Sequence, residues 1–353
     1  MANAVDDAFP QDARRFLEAF KRRHSLAEVE AGLAALRKLR VLVVGEAIID
    51  EYSYCTPLGK SPKEAIVSTK HLRRETHAGG ALACANHVAG FCEVVHLVTG
   101  LGGDDTREAF VRERLKPNVA PRFFVRPGAP TITKRRYIWE PFLVRLFEVD
   151  FMDDSPWPAP LEEEMLRHLR ESVPTYDVVV VADYGHGFLG ERVATLLAER
   201  ARFLAVNTQA NAANLGFHIV TKYPRASYVC IDEPELRLAT RDRWGSVEEL
   251  ADKVRAHLGG PAIAVTRGRL GALVSGADGA WWTVPIFSQA VVDRMGAGDA
   301  FLSVTAPCVA SGMSMDMAGL LGSAVGALAV GIVGNRSAIE PGALTRFVTD
   351  LLT

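Results

Sequence analysis

Val291-Val292-Asp293-Arg294-Met295-Gly296-Ala297-Gly298-Asp299-Ala300-Phe301 sets a small-residue turn and a carboxylate against the start of an apolar helix. Gly296 and Gly298 have no side chains, so the backbone N–H groups of 296–298 can approach an anion closely, and the following helix adds its positive dipole end. Asp299 falls in the first helical turn. There it stays ionised and can take a proton from a hydroxyl attacking phosphorus, while the amides hold the charge on the transferring group. Phosphoryl transfer is the chemistry this spacing suits. A plain helix start behind a glycine turn carries the same short signature, so the flanking sequence has to separate the two.

From Arg40 onward the pattern is α/β. Val41-Leu42-Val43-Val44-Gly45 is a fully apolar run of the kind that forms a strand covered on both faces. Similar runs recur at 94–99, 178–182, 203–207, 228–231 and 263–266, with helical stretches at 80–90, 106–115, 161–171, 191–201 and 246–258. This alternation predicts a mostly parallel sheet with helices on both faces. Ligands on such sheets sit at the carboxyl ends of strands, where Asp50, Asp183, Asn207 and Thr266 fall.

Two regions, about 51–72 and 121–150, break the alternation with β-branched and aromatic residues among charges, as in Thr131-Ile132-Thr133-Lys134-Arg135-Arg136-Tyr137-Ile138-Trp139. They predict strands that leave the main sheet and form a small β lid over its carboxyl edge, or a ribbon used for dimerisation. Residues 1–39 are read as an N-terminal helical extension with a packing or dimer-contact role, and 40–353 as one α/β domain. The apolar stretch 318–334 is too short and too rich in glycine and alanine to span a bilayer, so it predicts a buried helix packed closely on its neighbours.

Forty basic and forty-two acidic residues leave a net charge of −2, which gives no global attraction for nucleic acid or a membrane surface. Cys55, Cys84, Cys92, Cys230 and Cys308 are odd in number, with no C-x-x-C spacing, which argues for a reducing, cytoplasmic setting and against a structural metal. The stretch 1–12 has no apolar run of a signal peptide. His77, His87, His186 and His218 match no metal-ligand spacing and read as structural or solvated.

Taken in order, Gly45 and Asp50, Gly79-Gly80-Ala81 opening a helix, Thr266-x-Gly268-x-x-Gly271, and Asp293-x-x-Gly296-Ala297-Gly298-Asp299 resemble the ribokinase-like (PfkB-type) carbohydrate kinases over about residues 40–345. Within that family the chain is most similar to the D-glycero-D-manno-heptose-7-phosphate kinase domain. The closer likeness lies in Ser61-Pro62-Lys63-Glu64-Ala65, Thr133-Lys134-Arg135-Arg136, Leu143-Val144-Arg145-Leu146 and Ala182-Asp183-Tyr184-Gly185-His186-Gly187.

The resemblance implies a three-layer α/β sandwich with a β lid. It makes Asp299 the catalytic base and the backbone of Gly296, Ala297 and Gly298 the anion hole. Asp50, Gly79 and Gly80 would hold sugar hydroxyls, with Asp183 a further substrate-side candidate. Asn207, Asp232, Glu235, Thr266, Gly268 and Gly271 would line the nucleotide side, Glu235 reaching Mg2+ through water. Asp293 matches a position near a monovalent-cation site in relatives, a K+ there sharing carbonyls from 334–338. Lys134, Arg136 and Arg145 suit a phosphate already on the substrate, although Lys134-Arg135-Arg136 in isolation reads as a solvated strand face.

Four departures stand out. Arg294-Met295 replaces the usual Thr-Thr or Thr-Val, Asp232 replaces the Asn of Asn-x-x-Glu, Ala83 replaces a sugar-binding Asn, and Asn207-Thr208-Gln209 replaces Asp-Pro-Lys. The implied activity is an ATP-dependent sugar kinase acting on a small sugar or sugar phosphate, with heptose 7-phosphate at C1 the nearest match. A kinase of another sugar or a nucleoside on the same fold is the alternative, and a non-catalytic sugar or nucleotide sensor a third. Where related heptose kinases carry a fused nucleotidyltransferase, a separate enzyme is expected to activate the product, since the sequence stops near the end of the kinase fold.

Overall fold

The computed structural model describes residues 10–288 and 290–353. Most of the stretch 1–12 read above for a signal peptide lies outside the described residues. Helices α1 (Gln11–Lys21) and α2 (Leu26–Ala35) come first. Ala13, Leu17 and Phe20 line one face of α1 and bury into the same core as the main sheet, while Arg23 and His24 pair with Asp316. Ser25 and Glu28 close a capping box at the start of α2.

In chain order there follow β1 (Arg40–Gly45), β2 (Ala47–Lys60), β3 (Val67–Gly80), α3 (Ala81–Phe91), β4 (Val94–Gly102), α4 (Glu108–Arg114), β5 (Val119–Arg126), β6 (Thr133–Trp139) and β7 (Val144–Phe151). Next are α5 (Ala159–Ser172), β8 (Val178–Asp183), α6 (Glu191–Arg200), β9 (Leu204–Thr208), β10 (Tyr228–Asp232), α7 (Glu233–Thr240), α8 (Val247–His257) and β11 (Ala262–Thr266). The chain closes with β12 (Ala272–Ser275), β13 (Trp281–Val284), α9 (Ala297–Ala310), α10 (Met315–Ala329) and α11 (Pro341–Leu352).

Among the described residues the main sheet has the order β13-β12-β11-β10-β9-β8-β1-β4-β5, parallel from β5 to β11 and antiparallel at β12 and β13. The apolar run at β1 is explained by its two faces. Val41 and Val43 enter a core shared with α3, α9, α10 and α11, and Leu42 and Val44 enter a second core shared with α5, α6, α7 and α8. The result is a three-layer α/β sandwich. The 318–334 stretch is helix α10 as far as Ala329, buried as expected, with Gly322 pressed against Phe301 and Thr305 of α9.

A second sheet has the order β3-β2-β6-β7. Two expectations need correction here. Residues 121–126, grouped with the lid from sequence, belong to β5 and pair with β4 at the edge of the main sheet. The other lid strand starts earlier than 51, because Ala47, Ile48 and Ile49 at the root of β2 are apolar and buried against the core. Strands β12 and β13 were not anticipated, each being only four residues long.

Candidate active site

The Gly296 turn is the N-terminus of α9. Gly296 has φ 77, a left-handed value, and a Cβ there would fall 2.1 Å from Asn335 Oδ1, so any other residue is excluded sterically and conformationally. At Gly298, by contrast, a Cβ would meet open space. Asp299 lies in the first turn, 8% exposed, and Tyr184 Oη donates to its Oδ1 at 2.8 Å. Burial raises the Asp299 carboxyl to about 6; the tyrosine bond opposes this and the Asp50 charge adds to it. Tyr184 is held well above its ordinary range by burial and by Asp299, and so keeps its proton.

Tyr184 is aimed by a braced turn at the end of β8. Glu46 accepts from the backbone N of Tyr184 at 3.0 Å and of His186 at 3.2 Å, and the Tyr184 carbonyl accepts from the side-chain amides of Asn211 and Asn214, each at 2.8 Å. Burial and the Asp183 charge push the Glu46 carboxyl to about 7. Asp183, expected on the substrate side, is completely buried with both oxygens committed. Lys222 Nζ lies 2.5 Å and Tyr223 Oη 2.6 Å from Oδ2, with Gly185 N and His218 on Oδ1. It braces the turn rather than facing a ligand, because the protein already fills its acceptor sites.

Asp50, whose charge acts on Asp299, stands at the root of the lid. Its Oδ1 takes Arg136, its Oδ2 accepts from Asn335 Nδ2 at 3.2 Å, and a Cβ at Gly79 would fall 2.1 Å from that oxygen. Gly80 follows as the N-cap of α3. Arg136 also pairs with Glu148 at 2.6 Å, so this guanidinium is held between two carboxylates. Lys134 is 7% exposed and makes no hydrogen bond or ion pair among the described residues. It lies near His186, whose ring nitrogens are both buried without partners and whose imidazole is lowered to about 4, first by burial and then by Lys134. His87 and His218, by contrast, are hydrogen-bonded to the protein, as expected of structural histidines.

Asp293 is likewise engaged by the protein. Its Oδ1 pairs with Arg145 and accepts from Met295 N at 3.1 Å, while its Oδ2 accepts from Tyr52 Oη and Gly334 N, each at 2.9 Å. Arg145 is therefore separated in role from Lys134. Arg294 is exposed and lines both a pocket of about 380 Å³ beside Asp293 and a larger cleft next to Asp299.

That cleft, about 770 Å³, brings together Asn207, Asp232, Glu235, Thr266, Gly268 and Gly271 with Ala297, Gly298 and Asp299. Asp232 and Glu235 form a capping box at α7, and Glu235 also accepts from Ala210 N at 3.0 Å. Burial and the Asp232 charge push the Glu235 carboxyl to about 8.

Sequence reasoning missed three groups: Glu46, Asn335, and the hydroxyl of Tyr184. Tyr184 lay inside the 182–187 stretch and Asn335 inside 334–338, yet only the folded turn brings each side chain to a carboxylate. Glu46 carried no signal beyond following an apolar strand.

The fold is that of ribokinase-like enzymes. It superposes on ribokinase from Thermotoga maritima with a TM-score of 0.68 at 18% identity, covering 88% of this chain and 99% of that one. It superposes on phosphofructokinase-2 from Escherichia coli in complex with potassium with a TM-score of 0.67 at 16% identity, covering 89% and 100%. Residues 38–341 match the pfkB family of carbohydrate kinases, and the chain belongs to that family. It is 27% identical over 296 residues to the bifunctional protein HldE of Nitrobacter hamburgensis, covering 82% of this chain and 60% of that protein. The chain thus spans about three-fifths of the length of this relative.

Proposed function

We propose that the chain transfers the γ-phosphoryl group of Mg2+-ATP to a hydroxyl of a sugar phosphate, with C1 of a heptose 7-phosphate the acceptor its sequence most resembles. One observation carries this reading. Asp299 is buried in the first turn of α9 with one oxygen held by Tyr184, it lines the cleft that would take the nucleotide, and it senses the charge of Asp50 at the root of the lid. In the step, the sugar hydroxyl oxygen attacks the γ-phosphorus and its proton passes to Asp299. The bond to the β,γ-bridging oxygen breaks, ADP leaves, and the amides of 296–298 hold the charge on the transferring group. Asp50, with the backbone at Gly79 and Gly80, would hold sugar hydroxyls, and Asn207, Thr266, Gly268 and Gly271 would face the nucleotide.

The carboxyls of Asp232 and Glu235 are both raised by burial, and Glu235 is raised further by Asp232 and Asp299, so a divalent cation nearby would favour the ionised form of both. These two side chains would hold Mg2+ through water; the ion's chemistry there is to neutralise charge on the polyphosphate.

Lys134, buried with no hydrogen bond or ion pair among the described residues although its charge acts on Glu148, and His186, with both ring nitrogens unpartnered, support a phosphate on the acceptor. Lys134→Ala is expected to raise KM for the sugar phosphate by about 10- to 100-fold, the worth of a charge-assisted contact, and to leave KM for the unphosphorylated sugar unchanged. Equal effects on both would favour the second reading, an unphosphorylated sugar or a nucleoside. That reading has one observation in its favour, the commitment of Arg136 and Arg145 to carboxylates.

The same proposal takes 1–39 as an extension of a kinase domain at 40–353. The five cysteines are free and buried, which suits a reducing cytoplasm. No helix among the described residues is long and apolar enough to cross a membrane. A homodimer would form through the lid. Phe147, Val149 and Phe151 are exposed along β7, the edge strand of the lid sheet, and an apolar edge strand is a surface that another chain covers. Phe147→Asp is expected to halve the mass seen by light scattering; a wild-type monomer would contradict the lid-to-lid pairing.

A further inference from the structure

We infer that the guanidinium of Arg145 stands where a monovalent cation would be needed beside Asp293, so that this chain, read as a kinase as above, works without K+. The Asp293 carboxylate offers about four acceptor directions, and the protein fills them with Arg145, Met295 N, Tyr52 Oη and Gly334 N. A potassium ion needs oxygen lone pairs turned towards it. The groups around this carboxylate instead present N–H and O–H donors and one full positive charge, which repels a second cation a few ångströms away.

The donors come from separate parts of the chain. Met295 belongs to the turn that leads into the 296–298 amides, Gly334 to the loop after α10, and Tyr52 and Arg145 to lid strands β2 and β7. Arg145 is therefore a positioning residue. It neutralises the carboxylate that shapes the approach to the anion hole, and, being mounted on β7, it delivers that charge together with the lid. Asn335, next to Gly334, bonds Asp50, so the same loop ties the Asp293 cluster to the proposed sugar side.

The test compares wild type, Arg145→Ala and Arg145→Lys in potassium and in tetramethylammonium chloride at equal ionic strength. Thermal melting is measured without nucleotide or sugar, and initial rates at saturating substrates. Wild type and Arg145→Lys are expected to melt alike in the two salts and to differ in rate by less than about twofold. Arg145→Ala, with the opposing charge gone and one acceptor direction of Asp293 opened, is expected to melt higher in potassium, as a protein does with a ligand that binds only its native state. Its rate is expected to fall about tenfold or more in tetramethylammonium, the scale of losing one electrostatic support of the anion hole, and to recover in potassium. A wild type that melts higher or turns over several times faster in potassium overturns the inference. So does an Arg145→Ala protein indifferent to potassium in both measurements. The melting arm needs no acceptor, so it still decides the matter if every sugar proves inert and the kinase reading fails.

Discussion

Asp299→Asn is expected to lower kcat by about 10³- to 10⁴-fold, the upper range for loss of a general base, and at the same time to make the protein more stable. Both effects follow from one buried carboxyl. Its pKa rises from 3.8 to about 6 in the folded chain, chiefly through burial, with Tyr184 Oη as the compensating donor. A group whose folded pKa is raised favours folding while it is protonated, and that contribution is lost as pH climbs from about 4 through about 6. At neutral pH the ionised carboxylate therefore costs about 3 kcal/mol, each tenfold gain in its proton affinity on folding being worth about 1.4 kcal/mol. Asparagine keeps an oxygen for Tyr184 and removes the charge, so its melting temperature is expected to exceed that of wild type at about pH 8, with the gap closing towards about pH 4. The wild-type kcat/KM is expected to fall on the acid side with a midpoint near 6. Tyr184→Phe, which removes the opposing hydrogen bond, is expected to move that midpoint upward. An unchanged midpoint would show that Tyr184 does not tune the base.

Asp50→Ala is expected to have the second largest effect, and of the opposite kind on stability. Two sugar hydroxyls donated to one carboxylate are worth about 3 kcal/mol together, so KM for the sugar should rise about 100-fold. Arg136, buried between Asp50 and Glu148, would keep one of its two partners. Stranding half of a buried ion pair costs about 3 kcal/mol, and the melting temperature should fall. Asp50→Ala with Arg136→Met removes both charges, and is expected to recover much of the stability but none of the sugar binding. If the double variant regains binding as well, Asp50 serves the fold rather than the ligand.

The parts of the fold that were legible in the sequence are those written in local patterns. The run 41–45 predicted a strand covered on both faces, and β1 sends alternate residues into two separate cores. Gly296-Ala297-Gly298-Asp299 predicted a helix start with a carboxylate in its first turn, which is how α9 begins. What local pattern does not carry is the identity of a charged group's partner. Asp183 stands at the end of a strand as a ligand-binding carboxylate would, yet Lys222 and Tyr223, some forty residues away, fill its oxygens. Arg145 reads as a phosphate-binding cation until the lid folds it onto Asp293, 148 residues further on. His186, whose spacing reads as structural or solvated, is the one of the four histidines His77, His87, His186 and His218 with both ring nitrogens unpartnered among the described residues. Burial and pairing of charges are properties of the tertiary fold, and spacing along the chain does not encode them.

The central claim is tested most directly by ADP release from Mg2+-ATP with heptose 7-phosphate, the unphosphorylated heptose, ribose, fructose 6-phosphate and a nucleoside as acceptors, with Asp299→Asn alongside. Turnover with the heptose phosphate, much weaker with its unphosphorylated counterpart and abolished in Asp299→Asn, is the predicted result. Turnover that prefers an unphosphorylated sugar or a nucleoside, or that persists in Asp299→Asn, would contradict it.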